Sequence, residues 1–319
     1  MSAAVLRLVE QHRRAQARIG AAVAAESLAA WSAVRPNSLA VTGATWLATV
    51  MAVVRRERER SRDVAAAYYR LHRALATGTT VPPRHGGYAA DSVSLADLRA
   101  DWARISGLDD DTEGGESQTD AVQLELFDWP LPDDGAHEAA ARTSLAVTGP
   151  VRAKQAADRL TADLNAGRLD GPGYVAALDD ATARAGITAA GSADREVLRG
   201  GRDLLAQTTR RDRRVLGWAR VPDEDPCSWC AMLASRGAVY KSRDAAVLRN
   251  SADGLPDDPE DLEKYHPMCH CQIRPVYSRT DQVSPDSERY RQEWRTVTKG
   301  LSGPAALSAW RKHISSQRR

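Results

Sequence analysis

The first thirty residues alternate apolar and polar positions with the period of an α-helix. Five apolar residues define one face of it: Val5, Leu8, Ile19, Val23 and Leu28. Trp31 extends this face, as expected of an amphipathic helix that packs on a core. The helix should end at residues 35–38, because Pro36 lacks a backbone donor and disfavours helical geometry in the residue before it.

A second, longer helix is predicted from Leu39 to about Leu75. Its first sixteen residues, Leu39–Val54, are the most apolar run of the chain. This run is short for a bilayer crossing, which needs about 20 residues, and it favours a buried helix. The arginines and glutamates that follow alternate in sign, as on a solvated helix face. After a loop rich in proline and glycine, Ser94 can cap a shorter helix from Leu95 to Ile105.

The stretch from Leu108 to Gly135 is acidic and contains neither lysine nor arginine. Such a segment cannot bury enough apolar surface to order itself, so an acidic linker is predicted. Within it, residues 122–130 hold the only phenylalanine, Phe127, together with Trp129. Two interpretations stay open for this apolar segment. It is either a hydrophobic tether onto the protein's own surface or a docking peptide for another protein.

Helical patterns resume at His137. Residues 148–150, Thr-Gly-Pro, predict a stop, with the proline at the start of the next helix. Further helices are expected at 151–165, 174–185 and 192–216. Four arginines lie together near the end of the last one, at positions 210, 211, 213 and 214.

Beyond these helices the chain predicts two short strands and a helical tail. Gln272–Tyr277 reads as a strand, and Ala238–Tyr240 is its candidate partner. From Glu288 onward the pattern is helical and basic. Its candidate packing residues are Trp294, Leu301, Leu307 and Trp310.

The composition supports a mainly α fold. Of the 319 residues 43% are hydrophobic, but only 5% are aromatic, which suits long helices better than a β-sandwich. The net charge of +2 excludes a strongly basic nucleic-acid-binding protein. The N-terminus has no apolar signal core, and four clustered cysteines in a long chain indicate synthesis in a reducing compartment.

All four cysteines lie between residues 227 and 271, in the pattern C-x-x-C followed by H-x-x-C-H-C. Paired thiolates at short spacing beside histidine are typical of a tetrahedral zinc site. The first-choice ligand set is Cys227, Cys230, Cys269 and Cys271. His266 in place of one late cysteine is the second choice, and His270 is the third. The interpretations without a metal are reduced core thiols or a disulfide.

The motifs of common zinc and nucleophile enzymes are absent from the sequence. There is no H-x-E, which argues against a zinc deaminase. G-x-S-x-G, H-E-x-x-H and the P-loop motif are also missing. A protease would need Ser228 or Ser235 to meet a histidine and a carboxylate, which spacing alone does not show. A nuclease would need His266 or His270 beside the metal. A closed, structural site is therefore favoured.

These observations predict five regions. They are a helical N-terminal region (1–107), the acidic linker (108–135), a central helical region (136–216), a small α+β zinc-knuckle module (217–280) and a basic helical tail (281–319). A chain of this length can bury a sizeable core and divide into two or more parts.

The residues around the candidate ligands resemble a known family. The segments Arg211–Val221, Asp225–Gly237 and Tyr265–Cys271 are similar to the MuF-like minor head proteins of tailed bacteriophages, especially versions from phages of actinobacteria. The resemblance is specific from about Thr208 to Tyr277 and rests only on helical character over the first hundred residues. The metal-type residues match this pattern position by position: Cys227, Cys230, His266, Cys269 and Cys271.

The resemblance implies a minor capsid protein that acts in head morphogenesis at the portal or inner capsid. Its implied partners are portal and major capsid or scaffold proteins, and its implied cofactor is structural zinc. No membrane partner is expected, and the location would be the virion or, during assembly, the host cytoplasm. The arginine cluster and basic tail would contact packaged DNA without sequence preference, unless they form an ordinary solvated face.

An enzyme is the alternative function. Versions in actinobacterial phages are often labelled capsid maturation proteases, and a metal-dependent nuclease is a further alternative. The sequence shows no protease dyad or triad that could be carried over from that label. The structural role is therefore the first hypothesis, and enzymatic activity the second.

Overall fold

The computed structural model describes residues 2–86, 90–108, 120–240, 265–266, 268–279 and 284–317. The described chain is mainly helical, which confirms the predicted fold class. The helices are α1 (Ala3–Trp31), α2 (Leu39–Thr77), α3 (Leu95–Ser106), α4 (Asp134–Ala146), α5 (Arg152–Asn165), α6 (Gly171–Arg211), α7 (Ser228–Ser235), α8 (Pro285–Val297) and α9 (Gly303–Gln317). The strands are β1 (Thr79–Thr80), β2 (Ser92–Ser94), β3 (Ala121–Leu124), β4 (Gly217–Val221), β5 (Ala238–Tyr240) and β6 (Gln272–Val276).

Three long helices, α1, α2 and α6, pack together and form the main core. A short 3₁₀ turn, Pro36–Ser38, separates α1 from α2 where the sequence predicts a break. The rings of Trp31 and Trp46 meet edge to face with centroids 4.8 Å apart. The Trp31 indole N–H donates to the Thr182 carbonyl at 3.0 Å, and the Trp46 indole N–H donates to the Ser27 carbonyl at 3.1 Å. The apolar run at the start of α2 therefore packs one face into this core.

Helix α2 also bears on the question of a membrane. Among the described residues, the helical stretch Pro36–Thr77 is long and apolar enough to cross a bilayer by length and composition. Its inward residues Trp46, Val50 and Val54 are buried against the rest of the protein. A core helix with one packed face meets the same criterion, so this observation is weak support for a membrane span.

Helix α6 is continuous, and the prediction of two helices with a break between 185 and 192 is wrong. The glycines in this stretch are required by packing. A Cβ at Gly186 would lie 2.4 Å from the Trp31 ring, and a Cβ at Gly201 would lie 2.7 Å from the Ser61 carbonyl oxygen. Glycine thus lets α1 and α2 approach α6 closely, at a cost in helix propensity that tertiary contacts offset.

The predicted stop at residues 148–150 is also wrong. A single turn of π-helix, Val147–Val151, joins α4 directly to α5. Pro150 lies inside it. In an α-helix proline would lose a hydrogen bond and clash with the preceding turn, whereas the wider π turn accommodates it.

The C-terminal sheet has the strand order β5-β4-β6, with both pairs antiparallel. Trp218 of β4 pairs with Val239 on one side and Pro275 on the other. The predicted pairing of Ala238–Tyr240 with Gln272–Tyr277 is therefore wrong, because β4, which the sequence pattern did not reveal, lies between them. As an edge strand, β6 tolerates Pro275, which cannot donate a ladder hydrogen bond.

Part of the acidic segment is ordered on the protein surface. Strand β3 pairs with β1 and β2 in a second small sheet. The rings of Phe127 and Trp129 pack against Tyr69, with centroids 6.4 and 6.0 Å away, and the Trp129 indole N–H donates to Pro82 O at 3.0 Å. The tether interpretation is confirmed for these two aromatic residues, whose apolar area orders an otherwise polar segment. Residues 109–119 lie outside the described part of the chain.

Helices α7, α8 and α9 form a second, smaller core. Of the predicted packing residues, Trp294 and Trp310 are buried, Leu307 is half-buried, and Leu301 is largely exposed. The two indole rings meet at 5.3 Å, and the Trp310 N–H donates to the Ser228 carbonyl at 2.8 Å. The C-terminal helices therefore cover α7, which contains the candidate ligand Cys230 and is capped by Cys227.

Candidate metal centre

The candidate ligands lie at the ends of two paired strands. β4 and β6 are antiparallel, with Val221 opposite Gln272. The chain that leaves β4 and the chain that enters β6 therefore meet at one end of the sheet. Cys271 immediately precedes β6, and Cys227 follows β4 after a short turn. Strand pairing thus joins two cysteine motifs that are separated by almost forty residues in the sequence.

Helix α7 sets the positions of the first cysteine pair. Cys227 is its N-cap residue, and the Cys227 Sγ accepts a hydrogen bond from the Cys230 N–H at 3.4 Å. A thiol here fills the position usually taken by serine or aspartate. It also lies at the positive end of the helix dipole, which favours a thiolate.

Three thiols form a compact buried group. The Sγ atoms of Cys230, Cys269 and Cys271 lie within 4.8 Å of one another, and those of Cys230 and Cys269 are 3.6 Å apart. Tetrahedral zinc with Zn–S bonds of about 2.3 Å places its sulfurs about 3.8 Å apart. The spacing therefore fits a metal ion. The Asp223 N–H donates to the Cys271 Sγ at 3.3 Å, an outer hydrogen bond that would orient this ligand.

Cys227 and His266 lie together at the margin of this trio. Cys227 is half-buried and His266 is exposed, whereas the three other cysteines are buried. Hydrogen bonds with Cys230 and then His266 lower the pKa of the Cys227 thiol to about 4, although burial acts in the opposite direction. Because of these contacts, Cys227 and His266 are both candidates for the fourth ligand.

The thiols divide their protons unequally. Hydrogen bonds with Cys230 and Cys271 hold the pKa of Cys269 well below its usual range. Hydrogen bonds to Cys227 and Cys269 raise the pKa of Cys230 above its usual range. Without a cation, some thiols are donors to neighbouring thiolates. All four can ionise together only if a bound cation compensates their charge.

His270, the third-choice ligand, is directed elsewhere. Its Nε2 lies 3.2 Å from Asp194 Oδ1 on α6, and its backbone N–H donates to Asp223 Oδ2 at 3.1 Å. The Asp194 carboxylate raises the pKa of this imidazole. His270 thus connects the cysteine segment to the helical core. Sequence reasoning missed Asp194, because nothing in its local pattern separates it from other polar residues of α6.

The proposed protease nucleophile Ser235 is engaged with the backbone. Its buried hydroxyl donates to the Met232 carbonyl at 2.6 Å. This contact within α7 is typical of a structural serine. The geometry of the described residues therefore favours ion binding by thiolates over acyl transfer at this serine.

A family model for VG15 proteins matches residues 136–297, about half of the chain. The chain belongs to the VG15 protein family. The matched region begins in α4 and ends in α8, so this VG15 segment contains both cysteine motifs and the helix that bears Asp194.

Two bacteriophage proteins are similar to this VG15 protein. The Gene 15 protein of Mycobacterium phage D29 is 33% identical over 102 residues, which cover 26% of this chain and 37% of the relative. The Gene 15 protein of Mycobacterium phage L5 is 32% identical over 105 residues, which cover 25% of this chain and 36% of the relative. The chain thus spans about a third of the length of the curated relatives it matches. No solved structure matches.

A second group of potential ligands in this VG15 protein lies on the helical region. Glu59, Asp63 and His85 present oxygen and nitrogen atoms within 4.8 Å of one another. Arg84 hydrogen-bonds to both carboxylates, at 2.9 Å for Asp63. A guanidinium thus already provides the positive charge that a cation would supply, and the cysteine group is the better metal site.

Proposed function

We propose that this chain is a minor capsid protein of a tailed phage that acts in head morphogenesis, at the portal or inner capsid surface. Membership of the VG15 family and similarity to two mycobacteriophage proteins support a phage role. The MuF-like pattern around the cysteines supports the finer assignment to the head. The protein would be located in the virion and, during assembly, in the host cytoplasm.

The proposed cofactor is a structural zinc ion bound by Cys227, Cys230, Cys269 and Cys271. The observation that carries this assignment is the buried trio of thiols at zinc-like spacing. Four thiolates would fill a tetrahedral site and leave no open position for water or substrate. The ion would join the end of β4, the start of α7 and the entry to β6, and so stabilise a sheet of only three strands.

The proposed partners are the portal and the major capsid or scaffold proteins, with non-specific contact to packaged DNA. Arg211 and Arg213 support the DNA contact because both side chains are exposed, one on the last residue of α6 and the other just beyond it. Arg214 contributes less, since it pairs with Glu125. A salt-dependent affinity for duplexes of unrelated sequence is the expected signature.

Co-expression tests the head assignment. The chain should co-purify with portal or capsid shells, and zinc should be present at one ion per chain. Cys230→Ser should lose zinc, whereas His270→Ala should assemble normally. Processing of co-expressed major capsid protein that stops in His266→Ala, without loss of zinc, would instead support a maturation protease. Absence of the chain from purified heads would contradict the proposed role.

A further inference from the structure

Two arginines are buried beside the thiol group. Arg202 lies on α6 and Arg220 on β4, and they are 2% and 1% exposed. Both guanidinium groups stack on the ring of Tyr265, with their central carbons 3.8 and 4.2 Å from the ring centroid. Tyr265 immediately precedes His266. Two like charges thus share one aromatic ring in the interior, which requires a compensating negative charge.

Two described carboxylates in this region each have one oxygen engaged. Asp194 pairs with the His270 ring, and Asp223 accepts the His270 backbone N–H. Arg202 donates one bond to the Cys269 carbonyl. Its Nε and Nη1 atoms are buried and have no hydrogen-bond partner among the described residues. Asp194 Oδ2 and Asp223 Oδ1 are buried without a hydrogen-bond partner among the described residues. The sulfur group is a further source of negative charge, which lies beside Arg202 through Cys269.

Electrostatic contact links both arginines to the thiols. Arg202 interacts with Cys269, and Arg220 interacts with Cys230, Cys269 and Cys271. Zinc with four thiolates carries a net charge of −2, whereas zinc with three thiolates and a neutral histidine carries −1. Two guanidinium groups supply +2. The +2 charge of the two arginines therefore balances the −2 charge of the four-cysteine set. It exceeds the −1 charge of the set with three cysteines and His266.

We propose that Arg202 and Arg220 are the counter-charges of a four-thiolate zinc unit, so that Cys227 is the fourth ligand and His266 is not. This inference rests on the proposed zinc site. It assigns a second role to the ion as well. Because Arg202 belongs to α6, zinc loading stabilises the docking of the cysteine segment onto the helical core.

Zinc affinity of the full chain tests the counter-charges. Arg202→Met and Arg220→Met should each raise the zinc Kd by about 10- to 100-fold, the usual effect of losing an outer partner of a metal site. Arg58→Met is the matched control, because Arg58 of α2 is similarly buried and its Nε donates to the Glu196 carbonyl at 3.0 Å, not to the cysteine segment. Its zinc Kd should not change. Competition with a chromophoric chelator measures the Kd, and circular dichroism verifies folding.

Lysine variants keep the test decisive if the methionine variants do not fold. Arg202→Lys and Arg220→Lys retain the positive charge and should bind zinc more tightly than the methionine variants. If the methionine variants are unfolded, the zinc Kd of the lysine variants should be close to that of the wild type. Lysine variants that fold but lose zinc as strongly as the methionine variants would overturn the charge argument. So would methionine variants with wild-type affinity.

Cobalt substitution identifies the fourth ligand independently. The sulfur-to-cobalt charge-transfer band of His266→Ala should match that of the wild type, and Cys227→Ser should lose intensity. An unchanged band in Cys227→Ser would overturn this inference and leave the zinc site standing. A wild-type chain that binds neither zinc nor cobalt would overturn both the proposed site and the inference.

Discussion

Acid should destabilise this protein through two buried histidines. The rings of His12 and His72 both stack with the Tyr68 ring, at centroid distances of 4.1 and 5.3 Å. Both are 1% exposed. Burial is the main cause that lowers the pKa of each from 6.5 to about 3, and the neighbouring charges of Arg202 and Arg274 add to it. Both rings are therefore neutral in the native protein at moderately acidic pH.

The sign follows from proton uptake by the unfolded chain. Between pH 6.5 and 3 the unfolded histidines bind protons that the native rings exclude, so the free energy of unfolding falls as pH falls. Above pH 6.5 the histidines are neutral in both states, so they do not lower the free energy of unfolding there. At pH 5 each histidine costs about 2 kcal/mol, at about 1.4 kcal/mol per pH unit. The pair therefore costs about 4 kcal/mol, a large share of a typical stability of about 5–15 kcal/mol.

His72→Phe isolates half of this effect. Phenylalanine preserves the stack on Tyr68, and the His72 Nδ1 that it removes has no hydrogen-bond partner among the described residues. Between pH 7.5 and 5 the variant should lose about 2 kcal/mol less stability than the wild type. Urea unfolding followed by circular dichroism measures both, and acid effects at the cysteines are common to the two proteins. Equal pH dependence in variant and wild type would refute the reasoning from burial.

Three further substitutions test the site and the core. Cys269→Ser should release zinc and lower the melting temperature, and zinc retained at one ion per chain would exclude this cysteine as a ligand. Asp212→Asn removes the acceptor 2.8 Å from the buried Arg73 Nε and should cost about 3 kcal/mol in urea unfolding, while an unchanged midpoint would show that the pair is dispensable. Gly201→Ala places a Cβ 2.7 Å from the Ser61 carbonyl and should cost about 1–3 kcal/mol. Wild-type stability in that variant would contradict the close packing of α2 on α6.

The boundaries of several helices were predictable because their signals are local. Pro36 ends the first helical stretch. Ser94 caps α3, where its Oγ accepts from the Asp97 N–H at 3.0 Å. Asp170 caps α6 in the same way, with the Gly173 N–H at 2.7 Å, so the helix begins three residues before the predicted start at 174. Each of these contacts spans three residues or fewer, so a short sequence window contains both partners.

Errors arose where a local signal has two physical meanings. The predicted break after residue 185 falls at Gly186, which instead provides space for the Trp31 ring within a continuous helix. Pro150 reads as a helix start, yet a π turn contains it. Strand β4 was missed because its five residues mix glycine, tryptophan and arginine. Its burial between β5 and β6 appears only once the sheet is assembled.

The cysteine spacing by itself predicted one candidate site with four thiols and two histidines, because metal-binding residues at short spacing are visible within a short stretch of sequence. The tertiary structure decided the rest. Pairing of β4 with β6 unites the two motifs, and α6 directs Asp194 to His270 and places Arg202 beside Tyr265. These partners are far apart in the sequence. Their side-chain directions depend on packing between elements, which no local pattern encodes.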